Sequence, residues 1–284
     1  MGTAPETTEH ILLVDCRDCP GLVHAITGVL FRAGANVISN NEYVDAETQR
    51  FFMRTACDGL ADEASVKAEI QRLLPAGAVV QIREAAPRRV VVLVSREHHC
   101  VADLLVRHAY GELGAELLAV VSNHDNLRSL AEKFSVPFHH VPYGSLTREE
   151  HEDALQALIA PMRPDYIVLA KYMRILSPRF VATWPNRIIN IHHSFLPAFA
   201  GARPYAQAFH RGVKVIGATS HFVSDQLDEG PIIAQQVIPM DHSYTPDDLS
   251  RAGRDIERTV LSNTLKLLNE DRVFLCGNRT VIFD

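Results

Sequence analysis

The chain has 284 residues, 47 % hydrophobic and 22 % charged, with a formal net charge of −6. That length suits two domains, and the acidic balance argues against nucleic acid or an anionic membrane as partner, since both demand basic surface. No apolar run approaches the ~20 residues of a membrane span, no secretory pattern opens the chain, and Glu6 stands where a myristoylation motif wants Ser or Thr; the expected location is the cytoplasm.

In chain order, "HILLVDC" is a predicted strand and "CPGL" the turn that opens the first helix, with Leu22, Ile26, Val29, Leu30 and Ala33 at helical spacing. "GANVISN" and "RFFMRTAC" read as strands two and three. "ADEASVKAEIQRLL" places Val66, Ile70, Leu73 and Leu74 on one helix face, and "AVVQIRE" closes the set. The βαββαβ order is the ferredoxin-like split pattern. Cys16 and Cys19 form a C-x-x-C with no second pair elsewhere, which reads as two ordinary reduced cysteines.

"EAAPRR" marks a hinge, so the expected domains are 1–84 and 85–284. Beyond it, "VVVLVS" is a continuous β-branched run of the kind buried on both faces of a parallel sheet. Helices and strands then alternate through "VADLLVRHAYGEL", "AELLAVVSN", "NLRSLAEKF", "VPFHHV", "REEHEDALQALIA", "DYIVLAKYM" and "RIINIHH". The pattern predicts an α/β class with a doubly wound, mostly parallel, Rossmann-like sheet, in which ligands sit beyond the carboxyl ends of the strands. "VKVIGATSHFVS" and "PIIAQQVIPM" add two strands joined by "DQLDEG". A long helix follows from a Thr245/Asp248 capping box with Pro246 at its first position, and a hairpin about Gly277-Asn278 ends the chain.

Asn190 and His192 lie two residues apart at the end of a predicted strand, so both side chains aim the same way and His193 the other. An amide donor beside an imidazole suits a carbonyl that becomes an oxyanion. The loop 225–229 offers Asp225, Asp228 and Glu229 as a third, acidic partner. Ser194 follows His193, but no G-x-S-x-G elbow accompanies it. The histidine doublets lack the spacing of a metal site. Neither phosphate-loop pattern occurs, and the turn in "VLVSREHHCVADLL" has no glycine to wrap a phosphate.

Two resemblances sharpen this reading. The "D-x-P-G-L" turn of Asp18 to Leu22 on a βαββαβ frame resembles the ACT family of amino-acid-sensing domains, over roughly residues 8 to 84. "INIHHSFLP" at 189–197 with "HFVSDQLDEGP" at 221–231 resembles the formyltransferase fold that uses 10-formyltetrahydrofolate. That resemblance implies a catalytic trio of Asn190, His192 and Asp228, with His221 as a further active-site histidine. "YMRIL" looks like the folate-lining segment, which names Met173, Arg174, Ile175 and Leu176 together with Val223. "LAKYMRIL", "HHSFLPAFAGARPY" and "AGRDIE" resemble the branch of the family that carries an ACT-like domain in front.

The family's glycinamide ribonucleotide transformylases have a glycine-rich phosphate loop where this chain has "SREHHCV", which favours water over a phosphorylated amine as acceptor. The implied reaction is hydrolysis of 10-formyltetrahydrofolate to formate and tetrahydrofolate, supplying formate for purine synthesis and balancing the one-carbon folate pool. Folate is then a substrate, and no cofactor or metal is expected. Asp228 and His192 both stand as general base. The alternatives are a formyltransferase acting on an amine or aminoacyl-tRNA, and a non-catalytic amino-acid sensor. The ACT resemblance also implies a homo-oligomer, a dimer or tetramer, with an amino-acid effector held at Gly21, Leu22 and Asn36.

Overall fold

The computed structural model of the chain describes residues 8–144, 146–198 and 204–283. They form two compact units. The first takes residues 8–86 together with 270–274 and 282–283, and the second takes 87–269 with 275–281. A single break near residue 84 therefore does not describe the division, because the tail returns to the first unit.

The first unit runs β1 (His10–Arg17), α1 (Leu22–Arg32), β2 (Asn36–Asp45), β3 (Arg50–Asp58), α2 (Glu63–Leu73) and β4 (Val79–Glu84). Its sheet has the order β2-β3-β1-β4, and β1 pairs antiparallel with both β3 and β4. The apolar side chains of β1 at alternate positions, Leu12, Val14 and Cys16, pack with Ile26 and Leu30 of α1 and Ile70 of α2. Each such burial contributes roughly 1.5–3 kcal/mol. Phe52 is fully buried, and its ring sits 5.6 Å from that of Phe274, which in turn lies 5.5 Å from Phe283. These edge-on ring contacts, with the Arg54 guanidinium donating to the Glu270 carbonyl at 2.8 Å and the Arg83–Asp271 ion pair, tie the returning tail to the unit. The edge strand β2 leaves Val37, Ile38, Tyr43 and Val44 exposed.

The second unit contains β5 (Arg88–Val94), α3 (His99–Ala109), β6 (Ala115–Ser122), α4 (Arg128–Lys133), β7 (Phe138–His140), α5 (Arg148–Ile159), β8 (Tyr166–Leu169), α6 (Pro178–Thr183), β9 (Ile188–His192), α7 (Pro204–Arg211), β10 (Val215–Phe222), β11 (Ile232–Pro239) and α8 (Pro246–Asn269). Its sheet has seven strands in the order β11-β10-β9-β8-β5-β6-β7. Pairings from β7 across to β9 are parallel, and β10 and β11 attach antiparallel. Val90 to Val94 are buried without alternation, as a strand covered on both faces requires. The hairpin of β12 (Val273–Cys276) and β13 (Arg279–Ile282) turns at Gly277 and Asn278.

Two local features depart from the periodicity. The predicted strand "DYIVLAKYM" ends at Leu169 because Lys171 takes a left-handed φ of 64°, which turns the chain out of the sheet. The six-residue α6, capped by Ser177 and opened by Pro178, is too short to show a periodic face. The capping box of α8 forms as expected, since Thr245 Oγ1 accepts from the Asp248 N–H while Asp248 accepts from both groups of Thr245.

Replacing Phe52 by Ala should destabilise the first unit by about 3–5 kcal/mol, the usual cost of deleting a buried aromatic side chain. Urea denaturation monitored on that unit is the measurement, and a loss near zero would show that the ring contacts carry no weight.

Candidate active site

The β9–β10 register builds the site. It sets His221 directly opposite Asn190 and Thr219 opposite His192, so the two strands present their polar groups at one edge. The Nδ1–H of His221 donates to the Phe222 carbonyl at 2.8 Å, leaving Nε2 to accept from the Asn190 amide at 3.2 Å. The amide of Asn190 is thereby oriented, with a second N–H available. His192 lies one step further along β9.

Asp228 arrives from the loop between β10 and β11. Its Oδ1 is 3.3 Å from His192 Nδ1 and 3.8 Å from His221 Nε2. Of Asp225, Asp228 and Glu229, only Asp228 makes an ion pair with these rings among the described residues. The approach needs an unusual backbone. Asp228 has φ of 59°, a left-handed conformation that Asp tolerates better than most residues. Strain of this kind costs on the order of 1–3 kcal/mol and gathers at functional sites. Gly230 holds the loop down, because a Cβ there would lie 1.8 Å from the Phe222 carbonyl oxygen. The Phe222 N–H donates to the Pro231 carbonyl at 2.9 Å, and the β10–β11 pairing shifts register between Ser220 and His221. Such bulges re-aim side chains beside active sites.

The electrostatics follow from burial and neighbours. Burial pushes the Asp228 carboxyl up, but the hydrogen bond and charge of His192, with His221 and His193, outweigh it and hold it below the usual Asp range. Burial pushes His221 down. His193 is driven down to about 4, by burial first and then by the Lys171 ammonium. His192 Nε2 is buried and bonded to no described residue, a state that calls for a specific reason such as a catalytic role.

Asn190, His192 and Asp228 line a cavity of about 490 Å3. All six folate-lining candidates, Met173, Arg174, Ile175, Leu176, His221 and Val223, line it. Met173 and Ile175 are 59 % and 60 % exposed, as is Leu227 at 59 %, which leaves a rim of bare apolar side chains suited to a flat ring system. Ser95, just past β5, anchors this segment: its N–H donates to the Lys171 carbonyl at 3.2 Å and its hydroxyl accepts the Met173 N–H at 3.0 Å. The Arg174 guanidinium lies 3.8 Å over the Tyr143 ring.

Some expectations change. His193 does not point away: β9 ends at His192, so the alternation stops, and His193 lines the same cavity. Ser194 is buried and donates to the Ala198 carbonyl at 2.8 Å, which makes it a turn former. Of the effector candidates, Leu22 is 5 % exposed and packs into the core of the first unit, so its side chain offers nothing to a ligand. Gly21 and Asn36 are exposed. Cys16 is buried, its thiol pushed up to about 11 by burial and by Cys19, which suits an inert core cysteine. The stretch 199–203 of the family-like segment lies outside the described residues.

Sequence reasoning passed over a buried polar cluster beside the trio. Glu257, fully buried on α8, accepts from Tyr205 at 2.7 Å and pairs with His99 at 2.7 Å and Lys171 at 3.2 Å. Burial would raise its carboxyl, yet the His99 hydrogen bond, the Lys171 charge and Tyr205 hold it near 2. The available signal was an acid between Ile256 and Val260 on the apolar face of α8. With Cys100, His99 and Glu257 have donor atoms within 4.8 Å of one another. A metal there would have to displace the Lys171 ammonium, so the donor set fits a cation poorly.

The Formyl transferase family model matches residues 88–265 and the ACT domain model residues 10–75. The second unit thus falls in the class of enzymes that handle formyl groups, preceded by an ACT domain. The formyltetrahydrofolate deformylase of Escherichia coli (strain K12) is 52 % identical over 96 % of this chain and 97 % of its own. The crystal structure of a formyltetrahydrofolate deformylase from Pseudomonas syringae pv. tomato str. DC3000 superposes with a TM-score of 0.94 at 36 % identity, covering 99 % of this chain and 96 % of that one. Glycinamide ribonucleotide transformylase 1 from Symbiobacterium toebii gives 0.67 at 32 % identity, over 70 % of this chain and 95 % of that one. The chain belongs to the formyltetrahydrofolate deformylase family.

His193 makes the stability pH-dependent. Its folded pKa of about 4 lies below the ordinary 6.5, so its contribution is full above pH 6.5 and is lost as pH falls toward 4. Between pH 7 and pH 5 the loss is about 2 kcal/mol. Chemical denaturation at both pH values, with His193→Gln as reference, measures it, and equal pH slopes in the two proteins would contradict the assignment.

Proposed function

We propose that the second unit hydrolyses the linear amide bond of 10-formyltetrahydrofolate, releasing formate and tetrahydrofolate, with Asn190, His192 and Asp228 as its catalytic residues. The observation that carries the reading is the convergence of an amide, an imidazole and an ionised carboxylate, from two segments, at the polar end of an apolar slot. The folate ring system lies along Met173, Ile175, Leu176, Val223 and Leu227, with the formyl group directed at the trio.

The steps balance without any added group. Water's oxygen bonds to the formyl carbon while the carbonyl electron pair moves onto oxygen. Asn190 meets that oxyanion with the amide N–H that His221 does not use. Asp228 holds His192 by Nδ1, which reserves Nε2 for the reacting centre. Asp228 or His192 takes the proton that water gives up. Collapse of the tetrahedral intermediate breaks the C–N bond, and the folate nitrogen leaves with that proton.

The ACT domain is proposed to bind a small amino acid and to assemble copies of the chain. Gly21 and Asn36 are the contacts for the effector, and the exposed edge strand β2 with Val37, Ile38, Tyr43 and Val44 supports a homo-oligomer. No helix among the described residues is long and apolar enough to cross a membrane, in keeping with a cytoplasmic place for the reaction.

Incubating the purified protein with 10-formyltetrahydrofolate and measuring formate and tetrahydrofolate tests the reaction. Asn190→Ala, His192→Ala and Asp228→Asn should each lower turnover roughly 100- to 10,000-fold with the fold kept. Near-normal rates in all three would remove the assignment. Gly230→Ala, which lifts the loop carrying Asp228, should cost at least tenfold, and on the order of 100-fold for a 1 Å displacement; unchanged kinetics would show that the close approach at Gly230 does not position the acid.

A further inference from the structure

Lys171, Tyr205 and Glu257, from three separate stretches of the chain, meet beside His193. Lys171 and His193 both line the cavity. The Tyr205 ring stands edge-on to His193 with centroids 6.2 Å apart, and its hydroxyl donates to Glu257 Oε1 at 2.7 Å. The other oxygen of Glu257 sits 2.7 Å from His99 Nε2 and 3.2 Å from Lys171 Nζ. His99 and Lys171 are 6 % and 5 % exposed. Both carboxylate oxygens therefore have partners, and the cluster closes on itself.

The backbone has made room for it twice. Gly253 lies one helical turn before Glu257, and a Cβ there would come within 2.1 Å of the Tyr205 ring, so glycine is what lets the hydroxyl end of the ring approach α8. Lys171 occupies its left-handed φ of 64°, a conformation that glycine would take without strain. Neither feature serves the trio, since the trio is positioned by β9, β10 and the loop at Asp228.

We propose that Tyr205, Glu257, Lys171 and His99 form a plug filling the acceptor side of the formyl-transfer site, so that water is the nucleophile that reaches the formyl carbon and amines are excluded. The inference rests on the reading of the second unit as a 10-formyltetrahydrofolate hydrolase. The folate side of the cavity is the apolar rim. An amine acceptor has to enter on the opposite side, carrying its own substituents. There it meets Lys171, whose charge repels a protonated amine, and His193, which the Tyr205 ring backs edge-on and holds in place. Water needs no such space. With the plug opened, the amine nitrogen bonds to the formyl carbon, the same folate C–N bond breaks, and the amine's proton passes to the departing nitrogen.

The test is a partition experiment. The protein is given 10-formyltetrahydrofolate labelled with carbon-13 in the formyl group, with excess glycinamide at mildly alkaline pH, and carbon-13 NMR reads formate against N-formylglycinamide. The wild type is expected to yield formate alone. Tyr205→Ala and Lys171→Gly, the latter compatible with the backbone at that position, are each expected to raise the formamide-to-formate ratio at least tenfold. Tyr205→Phe, which keeps the ring, is expected to keep the wild-type ratio. Formamide production by the wild type at the variants' level overturns the proposal. So does a wild-type ratio in Lys171→Gly, whatever Tyr205→Ala does. A wild type that releases neither product overturns instead the functional reading beneath it.

Discussion

The contact of Asp228 with His192, 3.3 Å between Oδ1 and Nδ1, joins a strand end to a distant loop, and the local structure around it is arranged to make that contact. A carboxylate buried beside a ring costs several kcal/mol unless it is paired, and the pairing requires the β9–β10 register, the shift at Ser220/His221, the left-handed backbone at Asp228 and the bare backbone of Gly230. The register is ordinary sheet pairing, whereas the bulge, the left-handed backbone and the bare glycine are local costs with no stability benefit of their own. Together they bring one acid within reach of two histidines and leave the Asn190 amide pointed by His221.

Two polar assemblies share this end of the sheet and differ in kind. The trio borders an open cavity and keeps a buried nitrogen, His192 Nε2, without a partner among the described residues. The cluster around Glu257 has its carboxylate fully satisfied and packed against α8. An unsatisfied group has something left to bind, whereas a satisfied one mainly fills space and sets charge. His193 stands between them, and burial, reinforced by the Lys171 ammonium, keeps it neutral.

Much of this was legible in the residues, and for definable reasons. The period of the apolar positions marked β1, α1 and the buried run Val90 to Val94, because burial on one face or two leaves a direct trace in composition. The i, i+2 spacing of Asn190 and His192 placed both on one face, since the pleat enforces it. What stayed hidden depends on backbone angles or long-range approach. Lys171 ends β8 through its φ, which no apolar pattern encodes. His193 turns toward the cavity because the strand stops one residue earlier. Leu22 is a core residue where a ligand contact was expected, because the turn of Gly21 delivers it inward. The choice of Asp228 over Asp225 and Glu229 rests on family resemblance and not on spacing, because the 3.3 Å approach of Asp228 to His192 depends on the path of a distant loop.

A crystal structure of the protein with a folate analogue bearing a non-hydrolysable carbonyl group at position 10 tests the central claim most directly. The account predicts the analogue's carbonyl oxygen at about 3 Å from the Asn190 amide and the His192 ring, with Asp228 still joined to His192 and the ring system along Met173 and Ile175. An analogue seated elsewhere, or an Asp228 carboxylate drawn away from His192 on binding, would contradict it.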